Sequence, residues 1–176
     1  MVIRRGFIGL AIVSIVVIGI VFLGFVPQAT AETLNFKGFN HVTKMEMVPI
    51  ADVEGHSVGL AVREGVTILE NGELAWVKAV NMGDFIKGAG TFDMYSTFTF
   101  QDGSIIITRT KGKVEATPTG VSSDAKWTGE IIHGTGRFQG IKGTVTGTAK
   151  NLPPVKGEII GKALSEWTMT FTLPPK

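Results

Sequence analysis

The stretch that most constrains the fold is residues 142–150, where small or apolar residues alternate with polar ones. One side carries Gly143, Val145, Gly147 and Ala149, and the other carries lysines and threonines. Alternation with a period of two predicts a β-strand with one face toward a core. The preceding segment, 134–143, has more glycine than a helix tolerates and suits a tight turn.

The same period recurs along the chain after residue 31. In residues 91–101, Phe92, Met94, Phe98 and Phe100 share a face with Ser96. Asn-Gly and Asp-Gly pairs between apolar runs predict two hairpins, at residues 71–72 and 102–103. No amphipathic helix interrupts this series. The sequence therefore predicts an all-β protein, an antiparallel closed barrel of about eight strands.

Glycines and prolines mark the expected interruptions. A change of phase at Gly38 predicts a bulge or corner, with Phe39 and His41 moving to the face of Met45. Residues 81–90, with three glycines, are expected to form a loop or a rim segment, and residues 117–124 and 151–157, rich in proline or serine, are expected to be loops.

The N-terminus has the composition of an export segment. Arg4 and Arg5 precede residues 7–26, a run of twenty residues without a charge and with Ser14 as its one polar side chain. At about 1.5 Å per residue, a helix of this length would cross a bilayer of roughly 30 Å. The paired arginines also resemble a twin-arginine export signal.

An A-x-A pattern at Ala29 and Ala31 follows that run and is typical of a signal cleavage site. Residues 1–31 are therefore either a signal peptide or a retained N-terminal hydrophobic helix that anchors the protein in the membrane. In both cases residues 32–176 form one barrel domain outside the cytoplasm, either periplasmic or secreted, or held at the inner membrane.

Charge and cysteine content exclude several functions. Without Arg4 and Arg5, the 17 lysines and arginines leave 15 basic residues against 15 acidic ones, so the remaining chain is formally neutral. A neutral domain lacks the basic surface of a nucleic-acid-binding protein, and no such partner is expected. The absence of cysteine excludes disulfides, a thiolate nucleophile and a thiolate metal site.

A glycine-rich segment between two predicted strands carries a family resemblance. It has the form G-T-G-R-F-x-G-x-x-G and consists of Gly134, Thr135, Gly136, Arg137, Phe138, Gly140 and Gly143. This segment, together with the phenylalanine-rich strand, Asp-Gly turn and isoleucine-rich strand of residues 92–109, resembles the allene oxide cyclase and dirigent-like barrel superfamily. The resemblance implies a calycin-like barrel of about eight strands with an apolar cavity.

In that superfamily, plant members cyclise an unstable fatty-acid epoxide or direct the coupling of phenoxy radicals, and many bacterial members have no assigned activity. The catalytic residues of neither activity match a motif in this sequence. The resemblance therefore implies a way of holding a small molecule, and no catalytic role is transferred to any residue.

Aromatic residues on the predicted inner faces are the candidates for a ligand-binding cavity. Opposite the small residues of 142–150, they either fill the barrel or leave a pocket on one side. Ser96, a small polar residue among them, either lines the cavity or bonds to the backbone. The candidate cavity residues are Trp76, Phe92, Ser96, Phe98, Phe100, Trp127, His133, Trp167 and Phe171.

Histidines and carboxylates form no recognisable metal or catalytic pattern. The three histidines, His41, His56 and His133, do not have the sequence spacing of a zinc site. A barrel would nevertheless bring His41 and His133 together if both faced inward. Glu130 and Glu166 fall opposite the apolar faces, where we expect water around them. No metal or other cofactor is expected, and the glycine-rich segment lacks the spacing of a phosphate-binding loop.

Three functions remain open on the sequence. The leading hypothesis is a non-enzymatic exported barrel that binds a small apolar molecule or lipid, or acts as an accessory protein at the membrane surface. The second is an isomerase or cyclase of the allene-oxide type, which needs a titratable group inside the cavity. The third is a structural subunit of a membrane complex, held to its partner by residues 7–26.

Overall fold

A computed structural model describes residues 30–116, 123–152 and 161–175, which form eight antiparallel strands and one short 3-10 helix. The strands follow chain order around a closed barrel, and the last pairs with the first. The expected antiparallel barrel is confirmed, whereas the predicted N-terminal helix lies outside the described residues. The elements are β1 (Glu32–Pro49), β2 (His56–Leu69), β3 (Leu74–Ile86), β4 (Ala89–Phe100), β5 (Ile105–Ala116), β6 (Ser123–Gly134), the 3-10 helix (Gly136–Phe138), β7 (Lys142–Leu152) and β8 (Lys162–Thr172).

Among the described residues, no helix has both the length and the hydropathy required to cross a bilayer.

Both predicted hairpin turns are present. Gly72 and Gly103 have φ angles of 84° and 79°, which glycine adopts without a steric penalty. The Asn71 side chain accepts a hydrogen bond of 3.0 Å from the Glu73 backbone N–H, and Asp102 accepts one of 2.9 Å from that of Ser104. These turns set the register of β2 with β3 and of β4 with β5.

Of the two alternatives for residues 81–90, a loop or a rim segment, the loop is wrong. β3 continues to Ile86, Lys87 and Gly88 form a two-residue turn, and β4 begins at Ala89. The glycines here serve close strand contact, because a Cβ on Gly90 would lie 2.0 Å from the carbonyl oxygen of Asp84. Of the other two predicted loops, residues 117–122 and 153–157 lie outside the described residues, whereas residues 123–124 and 151–152 belong to β6 and β7.

The predicted change of phase at Gly38 is also wrong. Pairing of β1 with β2 is regular through Val42, and its register shifts between Val42 and Lys44. Phe39 and His41 therefore face outward, and only after this bulge do Met45 and Met47 face the interior. Gly38 instead allows β2 to approach closely, since its Cβ would lie 2.6 Å from the carbonyl oxygen of Val66.

One end of the barrel, called here the closed end, is filled by aromatic side chains. It carries the 3-10 helix, whose Phe138 is buried with its ring centroid 4.8 Å from that of Phe100. The Arg137 guanidinium lies 4.8 Å from the centroids of both rings. It also contacts carboxylates of the two hairpin turns, Glu73 at 2.6 Å and Asp102 at 3.6 Å. The glycine-rich segment, which connects β6 to β7, thus contacts the β2–β3 and β4–β5 turns over the core.

We expect Arg137→Ala to lower the free energy of unfolding by about 1–2 kcal/mol, because it removes two cation–π contacts and two ion pairs on a partly exposed side chain. Urea denaturation of the full chain measures this. Arg109→Ala is the matched control, since Arg109 is exposed and lies over a single ring, that of Tyr95. Equal losses for the two variants would contradict the assigned role of Arg137.

The opposite end, called the rim end, carries the β1–β2 and β3–β4 turns and is tied by His56. Its Nδ1 lies 2.5 Å from an oxygen of Asp52 in the β1–β2 turn, and its Nε2 lies 2.9 Å from an oxygen of Asp84 on β3. Both contacts are hydrogen bonds to carboxylates that only the protonated ring can donate simultaneously. They raise the pKa of His56 above its ordinary value of 6.5, with Asp52 the larger cause, and lower that of Asp52.

These shifts predict a pH dependence of stability. A raised histidine pKa in the folded state stabilises fully below pH 6.5 and loses that contribution as pH rises through the raised value. The lowered Asp52 pKa contributes above pH 3.8 and is lost as pH falls through the lowered value. The melting temperature of the wild-type protein should therefore fall between about pH 6 and about pH 9. His56→Gln should lack that component, and an NMR titration placing the His56 pKa at or below 6.5 would refute the assignment.

Candidate functional site

A cavity of about 320 Å³ lies inside the barrel between the aromatic core and the rim end. Phe92, Trp127 and Trp167 form part of its wall. Trp167 also contacts Phe98 of the core, with ring centroids 5.2 Å apart, so it separates the packed half of the barrel from the hollow half. Met47 and Phe85 line the cavity toward the rim end.

Small inward-facing residues create this space. The cavity is lined by residues with small side chains, namely Gly59, Ala61, Ala79, Ala149 and Ala163. The inward faces at the closed end carry larger side chains. The number of strands sets the width of a barrel, so interior volume that side chains do not fill remains empty. The hollow half is therefore a consequence of residue size on the inner faces.

Gly147 has a specific part in this arrangement. A Cβ at this position would lie 2.4 Å from the indole ring of Trp127, so the ring occupies the space that a side chain would need. Trp127 in turn packs on Trp167, with centroids 4.5 Å apart. The small inward-facing residues of β7, which are evident in the sequence, thus leave room for the aromatic side chains of the cavity wall.

The polar part of the wall is centred on Arg63 of β2. Its guanidinium donates hydrogen bonds to the side-chain oxygens of Asn40, at 3.3 Å, and Asn151, at 3.1 Å. The Asn40 amide donates to Ser165 at 3.4 Å, and the Asn151 amide donates to Ser123 at 3.2 Å. Five strands therefore contribute to one polar network inside a mainly apolar cavity.

Arg63 is the one ionisable side chain among the described residues that line the cavity. It is half-buried, and desolvation by burial lowers the pKa of its guanidinium. Arginine nevertheless remains protonated at neutral pH, since the ordinary pKa of its guanidinium lies far above neutrality. The cavity therefore carries a positive charge.

Several other polar atoms of the wall lack hydrogen-bond partners among the described residues. They are the indole nitrogens of Trp127 and Trp167 and the side-chain oxygen of Asn81. The two indole N–H groups belong to side chains that are only 7% and 4% exposed. These atoms have almost no accessible surface, and the indole nitrogen of Trp127 lies against Gly147.

The candidate residues divide into three groups in the structure. Phe92, Trp127 and Trp167 line the cavity. Phe98, Phe100 and Phe171 are buried in the core cluster and do not line it. The remaining three candidates, Ser96, Trp76 and His133, occupy other positions.

Ser96 neither lines the cavity nor bonds to the backbone. It is fully buried in β4, paired with Thr108 of β5, and both hydroxyls lack a partner among the described residues. The expected backbone hydrogen bond is therefore not formed.

The placement of Trp76 inside the barrel is wrong, because this side chain is 49% exposed. On β3 the inward positions are Ala75, Val77 and Ala79, and alternation puts Trp76 outside. Trp76 pairs on the outer surface with Val66, which is itself 40% exposed. Aromatic character suggested burial, whereas the strand period, correctly applied, excluded it.

His133 is also outside, because a bulge changes the phase of β6. The register with β5 shifts so that Ile131 pairs with Thr108 and His133 with Ile107, which leaves Ile132 unpaired. His41 and His133 are both exposed, so the barrel does not bring them together in its interior. Among the described residues, no group of three or more His, Cys, Asp or Glu is arranged to hold a metal. Glu130 and Glu166 face solvent, as expected.

Arg63 and its amide partners were missed by sequence reasoning. The alternation of Val58, Leu60 and Val62 with smaller residues is present in β2, but the cavity face is the other one, which ends in Arg63. A useful signal was available: a charged residue on the small face of a strand. Its partner Asn151 is 88 positions away, and no local pattern connects the two.

Known proteins were compared with this chain by sequence and by structure, and the structural comparison shows which fold type it shares. No family model matches the sequence, and no curated protein is similar to it. The pterocarpan synthase dirigent protein GePTS1 superposes with a TM-score of 0.50 at 15% identity, over 84% of this chain and 90% of that chain. For the pterocarpan synthase dirigent protein PsPTS1 the TM-score is 0.47 at 17% identity, over 84% of this chain and 97% of that chain.

At such low identity a structural likeness establishes the fold alone. The likeness to GePTS1 agrees with the closed antiparallel barrel and with the resemblance carried by the glycine-rich segment. The described part of this chain therefore has the dirigent-like barrel fold.

Proposed function

We propose that this protein is a binding protein that holds a small, largely apolar molecule inside the barrel. The observation that carries the proposal is the cavity of about 320 Å³ walled by Phe92, Trp127 and Trp167. Its volume falls at the lower end of the range for small-molecule sites, roughly 300–1,000 Å³, and its mainly apolar wall with a few polar groups is typical of such sites.

The chemistry of the wall favours binding over catalysis. General acid–base catalysis uses a group that gains and loses a proton near the working pH, such as an imidazole or a carboxyl. The polar groups of the described lining are amides, hydroxyls, indoles and the Arg63 guanidinium, and these donate or accept hydrogen bonds without titrating near neutral pH. A cyclase or isomerase would need a titrating group at this position.

A neutral fluorescent probe tests the proposal. N-phenyl-1-naphthylamine should bind the full chain with an increase in its emission, because it moves from water into an apolar site. Ala149→Leu adds a side chain to a cavity-lining position of β7 and should weaken probe binding roughly tenfold, in line with the penalty for overfilling a packed site.

Thr148→Leu is the matched control, since the neighbouring position faces solvent and should leave probe binding unchanged. The proposal fails if wild type does not bind the probe, or if both leucine variants bind it as tightly as wild type. Native mass spectrometry of the purified protein is done first, to establish that no natural ligand already occupies the cavity.

We further propose that the barrel acts outside the cytoplasm, exported by the hydrophobic N-terminal run. Ala31 is exposed and directly precedes β1, so cleavage after it would leave every strand intact. Mass spectrometry of the protein from its native host should find Glu32 at the N-terminus of a free domain, or an intact N-terminus in the membrane fraction. An intact N-terminus in the cytosolic fraction would contradict export.

In the membrane-fraction case, a co-isolating partner would indicate a subunit of a membrane complex. Its absence would indicate a binding protein that is simply anchored.

A further inference from the structure

The inference concerns the charge inside the cavity. Arg63 forms no ion pair with any carboxylate among the described residues, and its two hydrogen-bond acceptors are neutral amide oxygens. Arg137, by contrast, contacts both Glu73 and Asp102 at the closed end. The half-buried arginine of the cavity therefore has no carboxylate partner among the described residues.

Such a charge is costly. Moving a cation out of water into an apolar environment is unfavourable unless a partner of opposite charge accompanies it. The guanidinium has more N–H donors than its two amide acceptors use, and they point in a planar fork that matches a carboxylate. Uncompensated ionisable groups of this kind are concentrated at functional sites.

The neighbouring amides hold the guanidinium in a fixed direction. Asn40 and Asn151 each donate through their amide nitrogen to a serine of another strand, Ser165 and Ser123 respectively. Their oxygens are consequently turned toward Arg63 from two sides of the barrel. An anion would meet a donor group that is already oriented, which lowers the entropic cost of binding it.

The wall near this charge is aromatic. Trp127 and Trp167, which are 7% and 4% exposed, line the same cavity as Arg63. An apolar body can therefore lie against their rings while an acceptor group meets the guanidinium.

We propose that the ligand is a compact organic anion, with an apolar body against Trp127 and Trp167 and one carboxylate bound by Arg63. This rests on the proposed binding function and narrows it from apolar molecules in general to those with a single acidic group. The small cavity volume favours a body of about one or two rings. Asn40 and Asn151 position the guanidinium and make no ion pair with it.

Isothermal titration calorimetry with two matched ligands tests the inference on the full chain. 2-Naphthoate and 2-naphthalenemethanol share one ring system and differ in the carboxylate. Wild type should bind the acid more tightly than the alcohol. Arg63→Gln should weaken binding of the acid roughly ten- to a hundredfold, the usual effect of losing a charged hydrogen-bond partner, and leave binding of the alcohol within about twofold.

Asn151→Asp is an independent test that keeps the arginine and the size of the neighbouring residue. The new carboxylate would pair with Arg63 and compete with the ligand, so binding of the acid should fall about tenfold while binding of the alcohol persists. Arg109→Gln, on the outer face, is the control and should change neither affinity. Melting curves should show Arg63→Gln at least as stable as wild type, because an unpaired buried charge has been removed.

The outcomes separate this inference from the proposed function. If acid and alcohol bind equally well, or both variants keep full affinity for the acid, the cavity binds apolar molecules and the anion site is refuted. If wild type binds neither ligand nor the neutral probe, both proposals are refuted. Loss of acid binding in the two variants with alcohol binding retained supports both.

Discussion

Closure of the sheet is the constraint on which the rest of the structure depends. In the described part of the chain, each of the eight strands is hydrogen-bonded on both sides, with β8 paired to β1, so this sheet has no free edge and its circumference is fixed. The backbone alone therefore determines the volume enclosed by the barrel, whatever side chains face inward. Phenylalanines fill it at the closed end, and glycines and alanines leave it hollow toward the rim end.

Two arginines show how differently the ends of the barrel are built. Arg137 lies on the rings of Phe100 and Phe138 and contacts two carboxylates, so its charge is compensated and its role is structural. Within the described part of the chain, Arg63 lies in the hollow half with the amides of Asn40 and Asn151 as its acceptors. The same functional group is therefore paired with carboxylates at one end and bonded to neutral amides in the hollow half.

Much of the fold followed from local patterns. The hairpin turns at Asn71 and Asp102 and the inward faces of β4 and β7 were predicted correctly, because turn chemistry and side-chain alternation are properties of a few adjacent residues. The site was predicted only in part. A single extra residue at Thr43 or at Ile132 reverses the faces beyond it, and nothing in the local sequence marks these bulges.

By itself, the sequence determined that this chain forms an antiparallel barrel and which strands carry its aromatic residues, since periodicity acts over a few positions. Tertiary structure alone decided which face of β2 points inward and that Arg63 meets Asn151, a residue 88 positions away. Such encounters depend on strand register around the whole closed sheet. Register follows from all the turns and bulges together, so the charge in the cavity became visible only in three dimensions.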